Sequence, residues 1–273
     1  MKNLNLRVLT FLLAMAFSVQ LSAQSHSFDQ FPHKPSKAYY WSYWTALKRT
    51  ATGPAHWKKQ EWMTFGGVVA GGTVLYIFDD NIRNYVQSHR SAGLTKLSKY
   101  GLEPWGSGVY TFPVVAGFYF YGLATNNIKA RRVAMAATEA VVIGGISVEV
   151  VKHIFGRRRP YQNNPPDPRK WDGPMGFQYL SFPSGHTTVA FSVATVFASA
   201  YKDKPWVGII SYGIAAGVGL SRVYDDKHWS SDVLMGAALG FAVGKTIYHI
   251  MDRNKNLTVG VSNEGGLALA YHF

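Results

Sequence analysis

Cysteine is absent from the 273 residues. That excludes disulfides, thiol nucleophiles, thiolate metal sites and lipid attachment at a cysteine, so stability must come from packing alone. Acidic residues are scarce, with 15 Asp and Glu against 28 Lys and Arg, a formal net charge of +13. A chain this basic seeks anions: nucleic acid, an acidic lipid surface or phosphorylated substrates. No zinc-ligand spacing and no aromatic-basic single-strand motif supports nucleic acid. Membrane surface and phosphate remain. Internal repeats and long low-complexity tracts are also missing. The mean hydropathy of −0.04 is low for a chain that is mostly transmembrane helix.

The first 23 residues read as a secretory signal peptide. Lys2 and Arg7 form a basic start, an apolar run covers Leu9 to Val19, and Leu21-Ser22-Ala23 supplies small residues before a cut. The rival reading, an uncleaved anchor, has a run short for a bilayer. Cleavage removes two positive charges and no negative one, taking the net charge from +13 to +11. Export places the mature chain in the bacterial cell envelope, with an active site on the periplasmic side, and argues again against nucleic acid. Residues 24–60 begin polar and Pro-bearing, then carry Tyr39-Tyr40-Trp41-Ser42-Tyr43-Trp44 ahead of Lys48 and Arg49. Aromatics beside basic residues suit a membrane-interface helix, and equally an amphipathic helix packed on the domain.

Residues 61–252 hold six apolar segments: Trp62–Phe78, Val109–Ala124, Val133–Val151, Thr187–Tyr201, Trp206–Leu220 and Val233–Ile250. Gly and Ala recur within them and permit close helix contact. Their lengths lie at or just under the ~17–25 residues that cross a bilayer. Glu139, Glu149 and Lys245 interrupt three of them. Membrane spans and the buried helices of a bundle are both open. A cleaved signal followed by six crossings would leave Lys129, Arg131 and Arg132 outside, against the positive-inside tendency. Beyond, residues 253–273 alternate with period two around Asn263-Glu264-Gly265-Gly266, the pattern of a β-hairpin. The expected fold is all-α, a bundle of about six core helices with its active site at one end, plus this small hairpin.

Three clusters fall at segment ends: Lys152 through Arg159-Pro160, Ser181-Phe182-Pro183-Ser184-Gly185-His186-Thr187, and Ser221-Arg222 with His228 and Asp232. Antiparallel neighbours bring the end of one helix beside the start of the next, so all three gather at one end of the bundle. Lys152, Arg159 and Arg222 can surround a phosphate, the Arg forks bidentately. Ser184 and Gly185 stand at a helix N-terminus, where free N–H groups and the macrodipole favour an anion. His186 can give or take a proton near neutral pH. His228 and Asp232, four apart, are expected on one helix face, the carboxylate holding one imidazole nitrogen. Arg157 and Arg158 read as a solvated basic loop or a lipid-surface patch.

In this order, K-x6-R-P, P-S-G-H and S-R-x5-H-x3-D resemble the tripartite signature of the type-2 phosphatidic acid phosphatase and vanadium haloperoxidase superfamily, over Lys152 to Asp232. The resemblance implies a helical fold, no catalytic metal and no cofactor, with vanadate as a phosphate-mimicking inhibitor. It implies His228 as nucleophile, Asp232 as its orienting partner and His186 as general acid to the leaving alkoxide. Lys152, Arg159, Ser184, Gly185 and Arg222 would hold the phosphoryl oxygens. Asp232→Ala is then expected to lose most turnover while phosphate binding largely survives. The expected substrate is a lipid phosphate: phosphatidate, phosphatidylglycerophosphate, polyprenyl diphosphate or a lipid A phosphate. The alternatives are a soluble periplasmic acid phosphatase, a vanadium haloperoxidase using the same cluster for vanadate, and a non-catalytic phosphate binder. The loop Tyr161 to Tyr179, rich in Pro and Asn, is expected to carry substrate choice.

Overall fold

The computed structural model describes residues 32–174, 178 and 180–253, with the backbones of two further short segments. The expected signal peptide therefore lies outside the described residues. So do the turn and side chains of the expected C-terminal hairpin; only Leu257–Val261 and Leu267–Tyr271 are described there, as antiparallel backbone with Leu257 opposite Tyr271. The other regular elements are helical: α1 (Lys37–Thr52), α2 (Lys59–Ser88), α3 (Ala92–Lys96), a π-helical turn (Leu97–Leu102), α4 (Glu103–Ser107), α5 (Thr111–Ala124), α6 (Ile128–Phe155), α7 (Gly185–Ala200), α8 (Pro205–Tyr224) and α9 (Ser230–Arg253), with 3-10 turns at Gly53–His56 and Pro160–Gln162.

The termini are written into the sequence. Ser36 and Asn127 cap α1 and α6, accepting from the amides of Tyr39 at 3.3 Å and Ala130 at 2.9 Å. Gly156 ends α6 in the left-handed region at φ 56, its amide returning to Lys152 O at 2.9 Å. A Cβ on Gly156 would sit 2.5 Å from Gly173 O, so no other residue fits there without displacing backbone.

Helix α9 is the hub, packing on α1, α2, α6, α7 and α8. One side buries Met235, Leu239, Val243 and Ile247, spaced by four. A second stripe is glycine. A Cβ on Gly236, Gly240 or Gly244 would meet the carbonyl of Ser184, Thr188 or Ser192 at 2.6, 2.3 or 2.5 Å. Backbone therefore packs on backbone along α7 and α9, which fixes the starts of both helices against each other. Glu139, inside α6, is buried and accepts from Ser42 Oγ of α1 at 2.8 Å, tying the N-terminal helix to the core.

All six apolar segments are helical, but α6, α8 and α9 alone among the described residues are long and apolar enough to cross a membrane. For α2, 30 residues long, the shortfall is in hydropathy; for α5 and α7 it is in length. At ~1.5 Å per residue, α5 and α7 extend only about 21 and 24 Å, short of a ~30 Å hydrocarbon core. The outer faces of α5 and α8 expose Phe112, Phe120, Trp206, Ile209, Ile210 and Leu220. So large an apolar surface suits lipid, not water.

Candidate active site

Lys152 stands buried in the last turn of α6, 3.4 Å from Glu149 of the preceding turn. A Cβ on Gly185 would lie 3.5 Å from its Nζ, so the ammonium sits at the N-terminus of α7. Ser184 caps that helix and is fully buried, its amide donating to Asp232 O at 3.0 Å. His186 follows in the first turn. Arg222 closes α8, buried, with Asp225 accepting from its guanidinium. Arg159 is half-buried beyond the α6 end, and among the described residues no carboxylate lies within ion-pair distance of it. The three clusters thus meet at one end of the bundle, as their helix-end positions predict.

His228 is 3% exposed and Asp232 fully buried. They do not share a helix face as expected: α9 begins only at Ser230, and His228 belongs to the turn before it. The turn is set by other residues. Asp226 takes a left-handed φ of 59 and accepts both arms of the Arg83 fork at 2.7 and 2.8 Å. The amide of His228 donates to Arg222 O at 3.2 Å, and that of Trp229 to Asp232 Oδ2 at 3.0 Å. His228 Nδ1 lies 3.7 Å from Asp232 Oδ2, an ion-pair distance longer than a hydrogen bond.

Asp232 is held from three sides. Ser181 Oγ donates to Oδ2 at 2.6 Å, and Arg157 Nη1 to Oδ1 at 2.6 Å, alongside the Trp229 amide. This corrects the reading of Arg157 as a solvated residue. It is 0% exposed, with Asp79 Oδ2 at 2.8 Å, Ser231 Oγ at 2.7 Å and Pro168 O at 2.9 Å. Tyr76, Trp171 and Trp229 rings surround it, their centroids 5.0, 4.9 and 5.5 Å from Cζ. Arg158 is not a free surface cation either: its fork takes Asp172 at 2.7 and 2.9 Å. Two carboxylates explain the burial of Arg157, because a buried charge persists only where it is paired.

Burial holds the His228 imidazole well below its ordinary range, at about 4, with Lys152 and Arg159 adding to the depression against the pull of Asp232. It is neutral at physiological pH, with a lone pair to offer. His186 is also lowered, by burial first and Arg222 second, while Glu103 opposes both. Among the described residues no group of three or more His, Asp or Glu could gather a metal ion.

Sequence reasoning missed Asp79, Glu103 and the structural role of Arg157, and gave Ser181 a place in the second cluster without its bond to Asp232. Asp79 had a signal: a carboxylate at the end of an apolar segment, where burial demands a partner. Its partner, 78 positions away, had none.

Residues 133–256 match the model of the PAP2 superfamily. The chain is 31% identical over 189 residues to the lipid A 1-phosphatase of Porphyromonas gingivalis, covering 68% of this chain and 37% of that protein. It is 31% identical over 160 residues to the undecaprenyl-diphosphatase of Sulfolobus acidocaldarius, covering 58% of this chain and 69% of that one. The crystal structure of Aquifex aeolicus LpxE superposes with a TM-score of 0.49 at 23% identity, covering 62% of this chain and 94% of the other. The chain thus spans well under half the length of the Porphyromonas relative.

Proposed function

The chain belongs to the PAP2 superfamily, that of the type-2 phosphatidic acid phosphatases, and on that premise we propose that it is a metal-independent lipid phosphate phosphatase working through a phosphohistidine. The observation that carries the reading is the buried His228 beside a buried Asp232, where Lys152, Arg222 and the N-terminus of α7 converge. Binding alone needs no nucleophile, which disfavours a phosphate binder. Outward apolar faces and three helices able to cross a bilayer favour a lipid substrate over a soluble one.

In the first step His228 attacks phosphorus, forming a P–N bond as the ester P–O bond breaks, and His186 gives its proton to the departing oxygen. Asp232 stabilises the imidazolium that forms. Lys152, Arg159, Arg222 and the amides of Ser184 and Gly185 neutralise charge on the equatorial oxygens, where phosphoryl transfer gains most. In the second step His186 takes a proton from water, whose oxygen attacks phosphorus while the P–N bond breaks. The products are inorganic phosphate and the alcohol of a monoester, or the lipid monophosphate where the bond broken is the anhydride of a diphosphate. The exported location, the cleaved leader and a hairpin at the C-terminus belong to the same proposal. The relatives' names support a lipid A phosphate or a polyprenyl diphosphate as its substrate.

The test is phosphate release in EDTA by wild type beside His228→Ala, across phosphatidate, phosphatidylglycerophosphate, undecaprenyl diphosphate, lipid A and an aryl phosphate. Release that survives EDTA and disappears in the variant supports the mechanism. Equal release by both overturns it.

A further inference from the structure

The signature explains His186 as a proton donor but assigns nothing to hold it. The structure offers a candidate. Glu103, at the start of α4, brings Oε1 to 2.9 Å from His186 Nε2. The same oxygen lies 4.0 Å from Arg222 Nη1. Glu103 lies outside the segment that matches the family model.

We propose that Glu103 is the positioning residue of the proton donor: it engages His186 Nε2, leaving Nδ1 to face the departing oxygen. This rests on the phosphatase reading above. An imidazole that shuttles protons needs one nitrogen fixed so that the other is aimed, the role a third group plays in nucleophile–base–orienter arrangements. The backbone supports the aim. A Cβ on Gly106, one turn further along α4, would lie 2.7 Å from His186 Cβ, so α4 packs directly on this side chain. The pair also spans two roles, since Glu103 touches both the donor and Arg222, a cation expected on the phosphoryl oxygens.

A purely structural ion pair is the competing explanation, and exposure weighs against it. The Glu103 and His186 side chains are partly buried, 29% and 33% exposed, so water screens the pair in part and limits what it contributes to folding. Removing the carboxylate therefore leaves the fold standing and the donor misaligned. The groups facing His186 fix the direction of the pH effect. Arg222 from α8 and Lys152 from α6 disfavour its charged form, and Glu103 from α4 favours it. Without Glu103, His186 loses its proton at lower pH, so the alkaline limb of the rate profile moves down.

The experiment compares Glu103→Gln and Glu103→Asp with wild type and His228→Ala, all purified in detergent and checked by circular dichroism. Phosphatidate has a poor leaving group that needs a proton, whereas p-nitrophenyl phosphate has a good one that does not. Glu103→Gln is expected to lower kcat on phosphatidate about 10- to 100-fold, but on the aryl ester less than about threefold, with KM little changed. Its alkaline limb should shift to lower pH, and Glu103→Asp should recover part of the loss. Equal losses on both substrates, an unmoved alkaline limb or wild-type turnover would overturn the assignment. A dead His228→Ala beside a fully active Glu103→Gln removes Glu103 alone. An active His228→Ala removes the mechanism on which it rests.

Discussion

Arg157→Leu is the sharpest probe of how Asp232, the proposed partner of the nucleophile, is held. It replaces a fully buried guanidinium that serves Asp232 at 2.6 Å and Asp79 at 2.8 Å with an apolar side chain. Breaking a buried ion pair by removing one partner costs about 3–5 kcal/mol, because the other charge is left without compensation. Here each carboxylate keeps some donors. Asp79 still accepts from Ser230 Oγ at 2.6 Å and the Ser231 amide at 2.9 Å, and Asp232 from Ser181 Oγ and the Trp229 amide. The lower end, about 3 kcal/mol, is therefore expected. For a domain of this size that lowers the thermal midpoint by about 6–12 °C. The assay is thermal unfolding in detergent with tryptophan fluorescence, beside turnover. A second variant, Arg157→Leu with Asp79→Leu, removes one charge of each sign. Exchanging a whole buried pair for apolar groups is often neutral, so it should regain most of the stability. Turnover should stay low, since Asp232 still lacks its Arg157 bond. An unchanged midpoint for Arg157→Leu, or a double variant no more stable than Arg157→Leu, would refute the reasoning.

Other outcomes follow from the same geometry. The His228 imidazole titrates at about 4, so kcat/KM should fall as pH drops through that value and the lone pair is protonated, and be insensitive to this group above it. A flat profile down to pH 3 would contradict the assignment. Gly240→Ala would set a Cβ 2.3 Å from Thr188 O, costing about 1–3 kcal/mol or more in overpacking and displacing the α7 start, seen as a lower midpoint and turnover. Gly145→Ala, where a Cβ meets nothing within 4 Å, is the control and should be neutral or stabilising. Orthovanadate should inhibit competitively, and Arg222→Ala should weaken it by about tenfold or more, the scale of one lost charge-assisted bond; inhibition unchanged by the variant would remove Arg222 from the anion site.

The signature residues were legible because their chemistry resides in residue type and fixed spacing, and helix ends follow from apolar periodicity with Gly156 and Ser184 as punctuation. What stayed hidden depends on partners far along the chain. A run of three arginines ordinarily faces water, and nothing near Arg157 in sequence names Asp79 as the carboxylate that makes burial affordable. Glu103 and His186, 83 positions apart, pose the same difficulty. Hydropathy likewise finds six helices without showing that α5 and α7 are too short to cross. The four-residue spacing of His228 and Asp232 suggested a shared helix face, yet the Trp229 amide on Asp232 starts α9 after His228 and makes the carboxylate a cap as well as the proposed partner of His228. This changes what Asp232→Ala can teach. The sequence alone expects turnover to disappear and phosphate binding to persist. In the structure the same truncation strips partners from Ser181, Arg157 and the Trp229 amide, while Ser184 leans on the Asp232 carbonyl at 3.0 Å. Phosphate binding should therefore fall too. Asp232→Asn, which keeps an oxygen for the cap and loses only the charge, is the variant that separates orientation of His228 from integrity of the anion site.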